Sequence, residues 1–344
     1  MSVNLDNVFS TWNRGKEFLC TEYPLMAGAM SWISDSNFVI DVSKAKGFGV
    51  LASSTMDVEE LDREIKNIKN SLKDSKFGVN LIMAHPKIEK FIDICINNSV
   101  SHIILASGLP TKGMISRIKE AKIKTISFAP NLVVAKRLVK NGIDGLIIEG
   151  MEAGGHIGPT STNVIAQEVL PTIKEVPVFV AGGIGTGHAI SQYLNMGACG
   201  CQVGTLLAAS KESKAHNNFK QALIKASAKD AISSIQFYPN LPVIPVRALK
   251  NQSVEIFNQY QHKVANEVQN GEITVYEGRV KIEYFWSGAL RKAVIDGDIQ
   301  NGSVMAGQIV SMVKQELPIR IIFDKLIEEA QSCVHSASYI NVCS

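Results

Sequence analysis

The sequence has no run approaching the roughly 20 apolar residues that a membrane span needs. Its N-terminus, MSVNLDNVFSTWNRGKEFLC, places charges and asparagines where a secretion signal needs an apolar core. No membrane is therefore expected as a partner, and a cytoplasmic location is expected. Cysteine is sparse: Cys20, Cys95, Cys199, Cys201, Cys333 and Cys343 form no C-x-x-C pair and have no histidine at metal-site spacing. Neither a disulfide framework nor a metal site is expected, and Cys199 and Cys201 read as buried small apolar residues on one strand face. Charge of one sign is lacking too. The 35 basic and 32 acidic residues are interspersed, for a net charge of +3, which leaves no polybasic stretch for nucleic acid or anionic lipid. There is no polar low-complexity tract, and 46% of the 344 residues are hydrophobic, so the chain can bury one large core plus an appendage. A small-molecule substrate or a carrier protein is the expected partner.

What is present is an alternation. Short β-rich runs recur at 23–26, 47–51, 76–82, 102–107, 124–128, 145–149, 177–181 and 199–203, separated by helical patterns. Most are continuous apolar stretches such as VFVA and GLII, the mark of strands buried on both faces of a parallel sheet. Asp57 before EELDREIKNIKNSLK supplies a helix cap, and NLVVAKRLVKNG ends on a glycine suited to a helix C-terminus. Eight units predict an α/β fold of the TIM (β/α)8 barrel type; a doubly wound sheet fits the same alternation. The barrel is predicted over 1–210 and 301–334, with 211–300 as a mainly helical insertion covering one mouth. GSVMAGQIVSMV and LPIRIIFDKLIEEAQ predict one or two closing helices, and the last ten residues a frayed tail.

Glycines and unusual polar residues cluster just after these strands, which is the catalytic face of a parallel barrel and tips the choice toward it. They include Ala27, Gly28, Ala29 and Met30 after the first strand, Asn80 after the third, SGLP after the fourth, and Glu149 to Gly158 after the sixth. Gly182 and Gly183 follow the seventh strand, and Gln202, Val203, Gly204 and Thr205 close the eighth. Glycine there lets a phosphate approach backbone N–H groups that a Cβ would obstruct, and the helices that follow are expected to turn their positive ends to it. No G-x-G-x-x-G opens a first βαβ unit and no G-x-x-x-x-G-K-[ST] occurs. His156, flanked by Ala153, Gly154, Gly155 and Gly158, is the candidate catalytic residue, able to exchange a proton with a substrate near neutral pH. Asn80 offers an amide to a heterocycle edge. Glu149, leaving an apolar strand, is either a ligand contact or one half of a structural ion pair. Met30 and Trp32 either pack on a ligand or fill the mouth.

The strings PLMAGAMSWIS, GFGVL, FGVNL, EGMEAGGHIG, VFVAGGIGTG and GACGCQVGT resemble the nitronate monooxygenase (2-nitropropane dioxygenase-like) family, which includes the flavin-dependent enoyl-acyl carrier protein reductase II. The likeness resumes in PVRALKN and GDIQNGSVMAGQIV. It implies an FMN-binding barrel with Ala27 to Met30, Asn80, Glu149, Gly154, Gly155, Gly182, Gly183 and Gln202 to Thr205 around the cofactor and His156 beside the flavin. Two activities follow from it. The first is oxidative denitrification of alkyl nitronates with O2; the alternative is NAD(P)H-dependent reduction of an enoyl thioester carried by acyl carrier protein. A homodimer is compatible with either. The first motif reads A-G-A-M where the family usually has G-G-M. Glu149 stands where many monooxygenases have Gln; together with GHIG and GSVMAGQI it leans toward the reductase, whereas SGLP and PTST lean away.

Overall fold

The computed structural model describes residues 5–73 and 76–340. Helix α1 (Leu5–Leu19) precedes the repeating units β1 (Leu25–Ala27), α2 (Ser36–Lys44), β2 (Val50–Ala52), α3 (Val58–Ser71), β3 (Gly78–Ile82), α4 (Ile88–Asn97), β4 (His102–Ala106), α5 (Lys112–Glu120), β5 (Lys124–Phe128), α6 (Leu132–Lys140) and β6 (Gly145–Glu149). A two-residue strand β7 (Gly155–His156) comes before α7 (Thr162–Val169), β8 (Val178–Ala181), α8 (Gly187–Met196), β9 (Gly200–Val203) and the single turn α9 (Thr205–Ala208). Then follow α10 (Asn217–Lys225), β10 (Ala231–Ser233), β11 (Val246–Leu249), α11 (Gln252–Gln269), α12 (Val275–Val294) and α13 (Ile319–Ile340). Among the described residues no helix is long and apolar enough to cross a membrane.

Eight parallel strands run in the order β1-β9-β8-β6-β5-β4-β3-β2. The ring shuts where Ala27 N–H donates to Phe48 O at 2.9 Å and Phe48 N–H to Leu25 O at 2.8 Å, so the sheet is a (β/α)8 barrel and not an open, doubly wound one. Strand alternation sorts the side chains into two layers. Met26, Ile104, Ile126, Ile147, Phe179 and Ala181 fill the barrel, while Leu25, Ile103, Leu105, Leu146, Ile148 and Val180 meet the helices. Side-chain caps start the surrounding helices where the sequence offers them: Asp57 accepts from Glu60 N–H, Asn131 from Val134 N–H and Thr186 from Ala189 N–H, each worth about 1 kcal/mol. Gly142, at φ +93°, ends α6 in the left-handed turn that the sequence predicts.

Several expectations change. The two neighbouring thiols do not share a face, because Gly200 (φ +157°) turns the backbone between them. Cys199 packs inside the barrel and Cys201 against the helices. GSVMAGQIVSMV is not a helix: Met305 bridges Ala248, and a 3-10 turn follows over Gln308–Met312. A Cβ on Gly302 would lie 2.4 Å from Asp298 O, and one on Gly307 2.6 Å from Glu152 O, so both glycines serve close backbone approach. Helix α13 runs to Ile340, and the rest of the expected frayed tail lies outside the described residues. Helix α1 had no sequence signal singled out for it, yet its last turn brings Phe18 and the fully buried Leu19 to the floor of the barrel.

On that floor His102 is 1% exposed. Its Nε2 lies 3.0 Å from Phe18 O and its Nδ1 3.0 Å from Ser101 Oγ, between the edges of Phe18 and Phe48. Burial pushes its pKa down to about 4. Because the unfolded chain takes up this proton first, near pH 6.5, stability is full above that value and is lost as pH falls toward 4, by up to about 3 kcal/mol. Denaturant midpoints measured from pH 7 to pH 4 are expected to fall accordingly, and His102→Gln to flatten that slope. An equal slope in the variant would place the acid sensitivity elsewhere.

Candidate active site

The barrel mouth forms where strand register brings distant residues level. Glu149 of β6 pairs with Ala181 of β8, Ala181 with Gln202 of β9, and Gln202 with Met26 of β1. Four strand ends from separate parts of the chain thus stand side by side. Asn80, 7% exposed, shares the inward face of β3 with Gly78, inside the strand and not at its end. Ala27 closes β1; Gly28 N–H then donates to Val203 O at 2.9 Å, and a Cβ on Gly28 would come 3.6 Å from Gln202 Nε2. Met30 N–H donates to Ser34 Oγ at 3.0 Å, which turns the loop that also holds Ala29. Trp32 sits at φ +66° in this loop, its Nε1 donating to Ser287 O at 3.4 Å and its ring 5.8 Å from the Arg291 guanidinium carbon. It therefore ties the first loop to helix α12.

The glycines differ in what they face. Gly182 (φ +83°) would carry a Cβ 2.9 Å from Gly150 O, and Gly183 (φ +77°) one 3.3 Å from Glu152 Cβ. Gly204 has a φ of −115° and nothing within 4 Å of the place a Cβ would take. Gly154 is pressed against the chain itself, its would-be Cβ 2.6 Å from Gly307 N, while Gly155 takes φ +77° beside Met305. So Gly204 adjoins free space, and Gly154 exists for packing. The expected helix-dipole contribution is also smaller than the sequence suggests, since Glu329 Oε2 already accepts from Gly187 N–H at 2.7 Å at the start of α8. Val203 and Thr205 flank Gly204, and the Thr205 hydroxyl accepts from Gly307 N–H at 3.0 Å.

His156 is placed by a pairing that the barrel pattern does not foretell. Its strand β7 runs antiparallel to β11, with His156 opposite Val246 and Gly155 opposite Arg247, and β11 pairs in turn with β10. Arg247, 4% exposed, clamps this sheet: its Nε donates to Met151 O at 2.9 Å and Nη1 to Ala231 O at 2.5 Å. Nε2 of His156 is buried without a hydrogen-bond partner. Glu283 Oε2 lies 3.0 Å away, a charge contact that meets the distance of an ion pair but not the direction of a hydrogen bond. Glu149 ends β6 half-buried at the mouth, and burial pushes its carboxyl up to about 7.

Glu152, Thr162, Arg247 and Glu283 were not singled out in the sequence. Glu152 Oε2 accepts from Thr162 N–H at 2.9 Å and from its hydroxyl at 2.8 Å, and Thr162 Oγ1 lies 2.9 Å from Gly182 O. That network ties the histidine loop to the glycine turn of β8. The strings EGMEAGGHIG, PTST and PVRALKN contained three of these residues, but Glu283 had no local signal. Clefts of about 490 Å³ beside Lys112 and Lys140 and about 460 Å³ beside Lys73 and His102 open elsewhere. Neither holds the glycine, imidazole and amide groups of the mouth, so chemistry and not size selects the site.

A closed parallel barrel with glycine turns and an imidazole at its C-terminal mouth defines a barrel enzyme. The chain belongs to the nitronate monooxygenase family, whose model matches residues 13–92 and 86–329, and it is an oxidoreductase. It is 24% identical to a probable nitronate monooxygenase of Staphylococcus aureus strain JH9 over 80% of this chain and 92% of that protein. It is 30% identical to the (3aS,4S,5R,7aS)-5-hydroxy-7a-methyl-1-oxo-octahydro-1H-indene-4-carboxyl-CoA dehydrogenase of Rhodococcus jostii, but the match spans 63% of this chain and 61% of that protein. A Mycobacterium tuberculosis protein of the same name is 24% identical over 94% of this chain and 97% of its own length. Among solved structures, FabK from Thermotoga maritima superposes with a TM-score of 0.83 at 29% identity, covering 95% of this chain and 98% of that one. Nitroalkane oxidase from Streptomyces ansochromogenes shares the fold, with a TM-score of 0.76 at 22% identity over 94% and 99% of the two chains.

Proposed function

We propose that this chain is an FMN-dependent oxidoreductase in which His156 meets the substrate. The observation that carries the reading is the pairing of open space at Gly204 with a buried Nε2 on His156 that makes no hydrogen bond. A phosphate fits the first and a reacting polar atom the second. Gly182, Gly183 and Gln202 to Thr205 would hold the phosphate, and Ala27 to Met30, Asn80 and Glu149 would edge the ring system. Gly155 shapes the histidine loop, whereas Gly154 supports it by packing. When bound, FMN would supply the electron transfer, and the protein would fix its orientation. His156 holds the substrate and exchanges its proton at Nε2. Residues 211–300, with α11 and α12 around their own cluster of Leu241, Phe257, Ile282 and Trp286, would act as the lid.

Nitronate monooxygenation with O2 is the first reading, supported by the family and by the Staphylococcus aureus relative. Reduction of a conjugated thioester by NAD(P)H, with acyl carrier protein docking near the lid, is the second. It is favoured by the 29% identity to FabK and by two relatives whose names specify a carboxyl-CoA. Purified protein separates them. On the first reading, propionate 3-nitronate drives oxygen uptake and NADH leaves the flavin absorbance unchanged. On the second, anaerobic NADH bleaches the flavin and a crotonyl thioester restores its colour. A protein that takes up no FMN would overturn both.

A further inference from the structure

We propose that the floor of the barrel, opposite the mouth, carries a second ligand site: a lysine-lined cleft that binds an organic diphosphate of nucleotide size. The site does not depend on what the mouth holds.

The fold assembles this cleft from separate stretches of chain. Lys69, Lys73 and Lys76 lie at the end of α3 and on the approach to β3, and Lys122 and Lys124 lie at the start of β5. In the sheet β4 separates β3 from β5, with Gly78, His102 and Lys124 level across the three strands. The two groups of lysines therefore stand on either side of His102, around a space of about 460 Å³. That volume falls within the roughly 300 to 1,000 Å³ of small-molecule pockets and exceeds what a bare diphosphate fills.

Charge decides the class of ligand. Among the described residues none of the five ammonium groups has a carboxylate partner, and no carboxylate lines the cleft; Asp74 lies outside the described residues. The acids nearby are engaged elsewhere: Asp144 with Lys119 at 2.7 Å and with Thr125, Asp62 with Lys66 at 2.6 Å and with Asn98, and Glu22 with Lys46 at 2.8 Å. Glu17 is exposed on α1 and does not line the cleft. Two lysines also have structural work, since Lys124 Nζ donates to Phe18 O at 3.0 Å and Lys69 Nζ to Asn98 O. An ammonium has three N–H groups, so each keeps others for a ligand. The C-terminal ends of α3, α4 and α5 face this floor with roughly half a negative charge each, which five ammonium groups exceed. A cleft lined by one sign of charge concentrates the opposite ion.

Lysines are point charges suited to the oxygens of phosphate, and no arginine fork for a planar carboxylate lines the cleft. The His102 nitrogens already face Phe18 O and Ser101 Oγ, which leaves the lysines as donors. Two banks of lysine suit two phosphates, and Leu72, Val100 and Phe77 give an apolar wall for an organic body.

Calorimetric titration of the FMN-supplemented protein with ADP, AMP and pyrophosphate tests the site. ADP is expected to bind about tenfold more tightly than AMP, which offers one phosphate to one bank, and more tightly than pyrophosphate, which has no body to pack. Lys76→Gln/Lys122→Gln removes one exposed lysine from each side and is expected to weaken ADP about tenfold or more. Lys112→Gln/Lys140→Gln, at the other lysine-bearing cleft, is expected to leave ADP within about twofold. No heat with ADP, or equal affinity for ADP and AMP, would overturn the site. So would an unchanged ADP affinity in the first variant, which would place the nucleotide at the mouth, or an equal loss in the second, which would make the effect one of overall charge. Pyrophosphate bound as tightly as ADP would overturn the assignment of an organic ligand. Flavin absorbance of the same samples scores the mouth separately, so failure of that reading cannot be mistaken for failure of this one.

Discussion

His156→Ala is expected to purify yellow and folded while losing about 100- to 10,000-fold in turnover, the usual contribution of a positioned acid–base group. The two outcomes separate because backbone and side chain do different work at this residue. The ladder to Val246 uses the backbone, which alanine retains. The imidazole is 36% exposed and its Nε2 has no hydrogen bond to lose, so its removal costs little stability. Glu283, 48% exposed, stays solvated when its neighbour is gone. Full turnover in the variant, with either nitronate or thioester, would remove His156 from the chemistry. A colourless variant would instead make it part of the cofactor's hold.

Gly204→Val is expected to yield folded protein that does not retain FMN. Its φ of −115° is open to residues with a side chain, and a Cβ there meets no atom within 4 Å, so the substitution fills space without straining the chain. That space is the proposed phosphate site. Losing two charge-assisted hydrogen bonds of about 1.5 to 3 kcal/mol each amounts to about a hundredfold or more in Kd. Gly183→Val is expected to lose FMN as well, but its φ of +77° forbids valine without strain, so its thermal midpoint falls too. The pair tells filling from strain. Flavin content per protein and the unfolding midpoint are the two measurements, and a fully flavinated Gly204→Val would refute the phosphate assignment.

The eight strands were legible because each is a local apolar run, and the helices between them because caps such as Asp57 and Asn131 lie next to the segments they start. Strand ends were less so: β1 begins at Leu25, after Pro24, which has no N–H to give a ladder. Helix α1 went unread because its role, sealing the barrel floor with Phe18 and Leu19, is apparent only against strands far along the chain. The glycines were visible as a group, but not their separate duties. Gly154 and Gly204 look alike in sequence, and only their neighbours reveal that one is packed and the other open.

The sequence by itself determined the repeating βα architecture, the family, and a short set of candidate groups at the strand ends. These depend on periodicity and residue chemistry, which act over a few positions. Tertiary structure decided that the ring closes through Phe48, that β11 fixes His156 by pairing with it, and that α12 brings Glu283 to its Nε2. The first joins segments about twenty residues apart, the other two segments about a hundred apart. No local preference encodes them; they follow from which faces the folded barrel leaves available for its appended helices to cover.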